Sequence, residues 1–137
     1  MTTIFCAEGN STALRLQTSL FQMSGYAVLV ANDPDTAIEI AKKSPFDVAV
    51  IDDQFQHASG MYLAREIRRV KPNVRIVFVS NSVRSGWEDK GEADEYVLEG
   101  ESFEVLLQKV QNLVGSALDD EVPLTRTLTM SQIAGNF

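Results

Sequence analysis

Several apolar runs in this sequence end in a side chain that could do chemistry. Glu8 follows Ile4-Phe5-Cys6-Ala7, and Asp52 and Asp53 follow Asp47-Val48-Ala49-Val50-Ile51. Ser80 closes the run 74–79, and Glu99 follows Tyr96-Val97-Leu98. Carboxylates and a hydroxyl gathered at one edge suit cations and phosphoryl groups. Crowded carboxylates with no cation between them should raise at least one carboxyl pKa. Other catalytic sets are not legible. There is no Ser-His-Asp or Cys-His arrangement and no glycine-rich loop ending in GKS or GKT. His57, the one histidine, stands beside Gln56 in the stretch after Asp52 and reads as solvated. Cys6, the one cysteine, excludes an internal disulfide and reads as a small buried hydrophobe.

These residues meet only if the runs become neighbouring parallel strands. The spacing between the runs supports this. Ala13, Leu16, Leu20 and Met23 recur at helical intervals from Ser11, and Gly25 follows as a C-terminal cap. Residues 26–30 read as the second strand. Asp33-Pro34 is an N-cap with a first-turn proline, opening a helix through Lys43. Leu63, Ile67 and Val70 mark a third helix, ended before Lys71-Pro72. Residues 82–89 read as a short, poor helix. Ser102 caps a long helix with a stripe of Phe103, Leu106, Leu107, Val110, Leu113 and Val114. Five strands, each followed by a helix, predict an α/β, flavodoxin-like, doubly wound parallel sheet. Its expected order is 2-1-3-4-5, with helices on both faces. Ligands of such sheets bind at the carboxyl ends of the strands, at the switch point between the first and third.

The chain has 137 residues, enough for one domain with a real core. A domain over residues 1–117 is expected, with 118–137 as a tail or docking arm. Asp119-Asp120-Glu121 is read as breaking the last helix, and Val122, Leu124, Leu128 and Met130 alternate weakly. The net charge of −7 argues against a nucleic-acid partner, whose phosphates need Lys and Arg. No run approaches a membrane span and no leader pattern opens the chain, so a cytoplasmic protein is expected. The charge is also localised. Within 88–104, eight acids face only Lys90, for a local −7, while the rest is balanced. Arg65, Arg68, Arg69, Lys71, Arg75 and Arg84 form a basic region elsewhere. One face of one sign disfavours self-association there and suits a basic partner. The oligomeric state is left open.

The motifs resemble the response-regulator receiver domain, the CheY-like module of two-component signalling, over residues 2–117. Phe46-Asp47-Val48-Ala49-Val50-Ile51-Asp52 is similar to that family's strand ending in the phosphoacceptor aspartate. Gly60 falls at its turn glycine. Ile76-Val77-Phe78-Val79-Ser80 matches the strand ending in Thr or Ser, and Glu92-Ala93-Asp94-Glu95-Tyr96-Val97-Leu98 resembles the run Gly-Ala-Asp-Asp-Tyr-Leu. The resemblance implies phosphoryl transfer from a phosphohistidine, with Asp52 as nucleophile and Ser80 donating its hydroxyl to the phosphoryl group. It implies Tyr96 as the switch aromatic, and Mg²⁺ held by Glu8, Asp52 and the Gln54 backbone carbonyl. Asp53 stands where the family has an apolar residue and reads as a solvated loop acid.

Three departures bear on this. Gly9 replaces the second acid after the first strand. Glu99 replaces the lysine after the fifth strand, with Gly100 in place of proline. The fourth crossover, from Ser80 to Glu99, is about three residues shorter than the family's. A carboxylate in place of the ammonium reverses a contact worth roughly 4 kcal/mol at ~4 Å and an effective dielectric of 20. Glu99 and Gly9 therefore weigh against Mg²⁺ and against phosphorylation, and Glu99→Lys with Gly9→Asp should improve it. The expected function is an atypical receiver, not an enzyme, in a two-component or phosphorelay pathway. Its expected partners are a histidine kinase, a phosphotransfer protein or a basic effector at the acidic 88–104 face. About twenty residues remain after Ala117, so output by protein–protein contact is expected. A phosphorylation-independent pseudo-receiver and a flavodoxin-like small-ligand-binding protein are the alternatives.

Overall fold

A computed structural model describes residues 1–55, 58–80 and 93–121. Strand β1 (Thr3–Ala7) leads into helix α1 (Ser11–Met23), then strand β2 (Ala27–Ala31) and helix α2 (Pro34–Lys43). Strand β3 (Val48–Asp52) is followed by a small antiparallel hairpin, β4 (Gln54–Phe55) and β5 (Ala58–Ser59). Helix α3 (Gly60–Val70), strands β6 (Arg75–Ser80) and β7 (Glu95–Leu98), and helix α4 (Phe103–Glu121) complete the described chain. The five long strands are parallel in the order β2-β1-β3-β6-β7. Counted among themselves this is 2-1-3-4-5, the expected order.

Alternation along the strands divides the core into two layers. Phe5, Ala49, Ile51, Ile76 and Phe78 pack with α2 and α3. Ile4, Cys6, Val48, Val50, Val77 and Val97 pack with α1 and α4. Central strands covered on both faces account for the nearly unbroken apolar runs. Cys6 is fully buried, and burial pushes its thiol pKa well up, as expected of a packing residue.

Helix ends follow the local chemistry. Asn10 caps α1 by accepting from the Ala13 N–H at 3.0 Å, and Asp33 caps α2 by accepting from the Thr36 N–H at 2.8 Å. At the far end of α1, Gly25 takes φ +97°. Its N–H donates to the Gln22 carbonyl, and the Tyr26 N–H donates to Phe21 at 3.1 Å. The rings of Phe21 and Tyr26 meet edge to face at 6.1 Å. That is a Schellman ending with its hydrophobic contact.

Helix α4 continues through Glu121, past the expected break at Asp119. Asp and Glu retain their backbone N–H and do not force a helix to stop; Pro123 is the first residue that could not donate. The hairpin β4–β5 had no counterpart in the sequence reading, because two-residue strands carry no periodic signal. The short helix expected at 82–89, His57, and the tail beyond Glu121 lie outside the described residues. Among the described residues no helix is long and apolar enough to cross a membrane.

Candidate functional site

Glu8, Asp52, Asp53, Ser80 and Glu99 stand at the carboxyl edge of the sheet, each ending or following a parallel strand. The strands hold them there by backbone bonds. The Glu8 N–H donates to Ala31 at 3.2 Å, extending the β1–β2 ladder by one residue. The Asp53 N–H donates to Val79 at 2.8 Å, extending β3 against β6. The Glu99 N–H donates to Ser80 at 2.6 Å, extending β7 against β6. Alternation then sorts the side chains. Glu8, Asp52 and Glu99 fall in phase with Cys6, Val50 and Val97, on the α1/α4 side. Asp53, Ser80 and Tyr96 fall in phase with Ile51 and Phe78, on the α2/α3 side.

Glu8 and Asp52 lie close enough for their carboxyls to share a hydrogen bond. Glu8 is half-buried, and its pKa rises from the usual 4.5 to about 8. Burial is the largest cause, followed by the hydrogen bond and the charge of Asp52; Glu99 adds a smaller repulsion. The crowded carboxyl whose pKa was expected to rise is therefore Glu8. The Asn10 N–H, which donates to Glu8 Oε2 at 3.3 Å, opposes the shift. Glu99 is exposed and acts on Glu8 through space, from the rim. Gly9, between Glu8 and Asn10, adds no third carboxylate.

Ser80 is fully buried and donates its hydroxyl to Asp53 Oδ2 at 3.3 Å. Asp53 is only 7% exposed, so it is not the solvated loop acid expected from its place after β3. The reason is register. Its N–H is locked to Val79, and the next step of the strand turns its side chain under the sheet beside Ser80. The sequence signal was the apolar run Val48-Ala49-Val50-Ile51, whose strand phase, carried two residues on, puts Asp53 on the side of Ile51. What was missing was the pairing of β3 with β6, which brings together two residues 27 positions apart. Tyr96 is half-buried and packs edge to face on Phe78, ring centroids 5.7 Å apart.

Gly60 opens α3 directly against this edge. Its N–H donates to the Asp53 carbonyl at 2.9 Å, and a Cβ there would lie 2.3 Å from the Asp52 carbonyl oxygen. Only glycine lets the helix approach the backbone of Asp52 so closely. Gly100 has φ +95°, in a turn closed by the Glu101 N–H donating to Leu98 at 3.2 Å. Proline, fixed near −65°, could not occupy that conformation. The backbone after β7 therefore differs here from a lysine–proline turn.

Other acids are used structurally at the opposite edge. Asp94 accepts from the Ile76 N–H at 2.8 Å and from Arg68 at 3.0 Å, with Arg75 at 3.8 Å. Glu95 pairs with Lys109 at 3.0 Å, and Arg69 with Glu66 at 2.9 Å. Both the acidic run and the basic region are thus partly neutralised within the molecule.

Among the described residues no group of three or more His, Cys, Asp or Glu could together hold a metal ion. The carboxyls of Glu8 and Asp52 are nevertheless within hydrogen-bonding reach of each other. Mg²⁺ sites commonly use one or two carboxylates and retain several waters. Two neighbouring carboxyls fit such a water-rich site and not a full protein cage.

Comparison with known proteins bears on the family and the fold. Residues 4–111 match the response regulator receiver domain. A CheY-like receiver domain protein from Methanospirillum hungatei superposes with a TM-score of 0.79 at 16% identity, covering 88% of this chain and 98% of its own. A response regulator from Thermotoga maritima, solved with Mg²⁺ and BeF, has a TM-score of 0.75 at 25% identity, covering 82% and 99%. The receiver domain of a Pseudomonas aeruginosa sensor histidine kinase, with magnesium in its active-site cleft, has a TM-score of 0.75 at 19% identity, covering 83% and 98%. No curated protein matches the chain. With the profile spanning most of the sequence and the sheet in the order that places strand-end acids at its switch point, the chain belongs to the response regulator receiver family of two-component signalling.

Proposed function

We propose that this chain is an atypical receiver whose phosphoacceptor is Asp52, with output through protein–protein contact. The observation that carries this reading is the pairing of the Asp52 and Glu8 carboxyls at the carboxyl end of β3, where β1 and β3 adjoin. An Asp52 carboxylate oxygen forms the new P–O bond as the phosphorus–nitrogen bond of a phosphohistidine breaks. The electron pair of that bond goes to the imidazole nitrogen. Ser80 turns its hydroxyl to a phosphoryl oxygen, and Tyr96, already against Phe78, follows Ser80 inward. Mg²⁺ bound by Glu8, Asp52 and the Gln54 carbonyl would neutralise charge on the phosphoryl oxygens. The Mg²⁺–BeF complex of the Thermotoga relative supports this assignment. The donor is a histidine kinase or a phosphotransfer protein, and the output partner a basic effector at the acidic 88–104 face.

The second reading is a pseudo-receiver that binds its partner without phosphorylation. It is favoured by the Glu99 carboxylate at the rim and by the engagement of Ser80 with Asp53. Intact-protein mass spectrometry after incubation with acetyl phosphate and Mg²⁺ separates the two. A gain of one phosphoryl group, absent in Asp52→Asn, is the expected result. No gain in folded protein, with either acetyl phosphate or a phosphorylated phosphotransfer protein, would favour the pseudo-receiver.

A further inference from the structure

The buried polar groups of this edge include one that the mechanism above does not use. Asp53 is 7% exposed, and its backbone is pinned on both sides, by Val79 at 2.8 Å and Gly60 at 2.9 Å. These bonds hold its main chain at the end of the sheet, with the carboxylate beside Ser80. Ser80 is fully buried beside it and donates to Asp53 Oδ2. A serine hydroxyl has one proton to donate. While that proton serves Asp53, it does not serve a phosphoryl oxygen on Asp52.

We propose that Asp53 is a positioning residue that holds the Ser80 hydroxyl in the resting chain and competes with the phosphoryl group for it. This rests on the reading of Asp52 as phosphoacceptor and adds to it a built-in brake. The bond is 3.3 Å long, against a usual 2.7–2.8 Å for O–H···O, so it is weak enough to exchange. Exchange is still opposed, because it takes a donor away from a buried carboxylate. An apolar residue at this position would offer no such competition. The carboxylate therefore makes the resting state more persistent by acting on the Ser80 hydroxyl.

The test follows phosphorylation by acetyl phosphate with Mg²⁺ over time, by intact mass, in the wild type, Asp53→Ala, Ser80→Ala and the double variant. Asp53→Ala should raise the early phosphorylated fraction about tenfold, roughly 1.4 kcal/mol and the scale of one exchanged hydrogen bond. That gain should vanish in the Ser80→Ala background. Asp53→Asn, which keeps an acceptor oxygen, should fall between Asp53→Ala and the wild type. A residue that mattered only for packing would act equally with or without the Ser80 hydroxyl. Denaturant unfolding of the same chains should show that positions 53 and 80 are coupled in stability, a readout that needs no phosphorylation.

No gain in folded Asp53→Ala, or a gain that survives Ser80→Ala, overturns the inference while leaving Asp52 as acceptor. Absence of coupling in unfolding overturns it as well. Absence of phosphorylation in every chain, with the coupling intact, overturns the role in transfer together with the Asp52 reading.

Discussion

At the scale of single residues, the site is governed by how carboxyls share a small volume. Burial and Asp52 lift the Glu8 pKa from 4.5 to about 8, so the folded chain holds this proton more tightly than the unfolded chain does. The stabilisation it contributes is complete below about 4.5 and is lost as the pH rises through about 8. Metal-free protein should therefore become less stable to denaturant across that window. Glu8→Gln, neutral at every pH, should flatten the profile, and Glu99→Lys should move the window to lower pH. An unchanged slope in Glu8→Gln would assign the pH dependence to another group. Asp53 shows how one step along a strand decides a residue's surroundings. It neighbours Asp52 in sequence, yet alternation puts it on the opposite side of the sheet, against Ser80.

At the scale of elements, helix α3 and strand β3 meet through a contact that tolerates no side chain. Any Cβ at position 60 would press on the Asp52 carbonyl from 2.3 Å, and backbone cannot yield as a flexible side chain can. Gly60→Ala should cost about 1–3 kcal/mol in unfolding, the range for forced overpacking. It should also slow phosphorylation, because relief of the clash displaces the backbone that carries Asp52. Stability lost with the phosphorylation rate intact would show that the displacement is taken up by α3 alone. The ends of α1 make the complementary point. Asn10, Gly25 and the Phe21–Tyr26 contact use residues close in sequence, so this helix is delimited by local chemistry.

At the scale of the whole molecule, charge is distributed unevenly, and folding changes its distribution. The segment 88–104 carries a net −7, yet Asp94 turns to Arg68 and Arg75, and Glu95 to Lys109. Glu99, Glu101 and Glu104 remain exposed near the β7–α4 turn. A basic partner bound there should dissociate more readily as salt rises, since exposed charges are screened within about 8 Å at physiological ionic strength. Replacing these three glutamates by glutamine should reduce both the affinity and its salt dependence, as titration calorimetry at two ionic strengths would measure. Salt-independent binding would place the partner on another surface.

Much of this protein was legible from local order in the chain. Apolar runs of strand length, helical stripes between them and capping residues at their ends act over a few positions. They determined the five long strands, the described helices and the strand order, and they brought Glu8, Asp52, Ser80 and Glu99 to one edge. The tertiary structure decided which of those groups meet. Glu8 with Asp52, and Asp53 with Ser80, are contacts between separate strands, set by register and by burial from helices on both faces. The left-handed turn at Gly100 and the close approach at Gly60 belong to the same class. The physical reason is common to all of them. Hydrophobic periodicity specifies which face of an element is buried, whereas the pairing of polar groups at strand ends depends on ladder bonds between residues far apart in sequence.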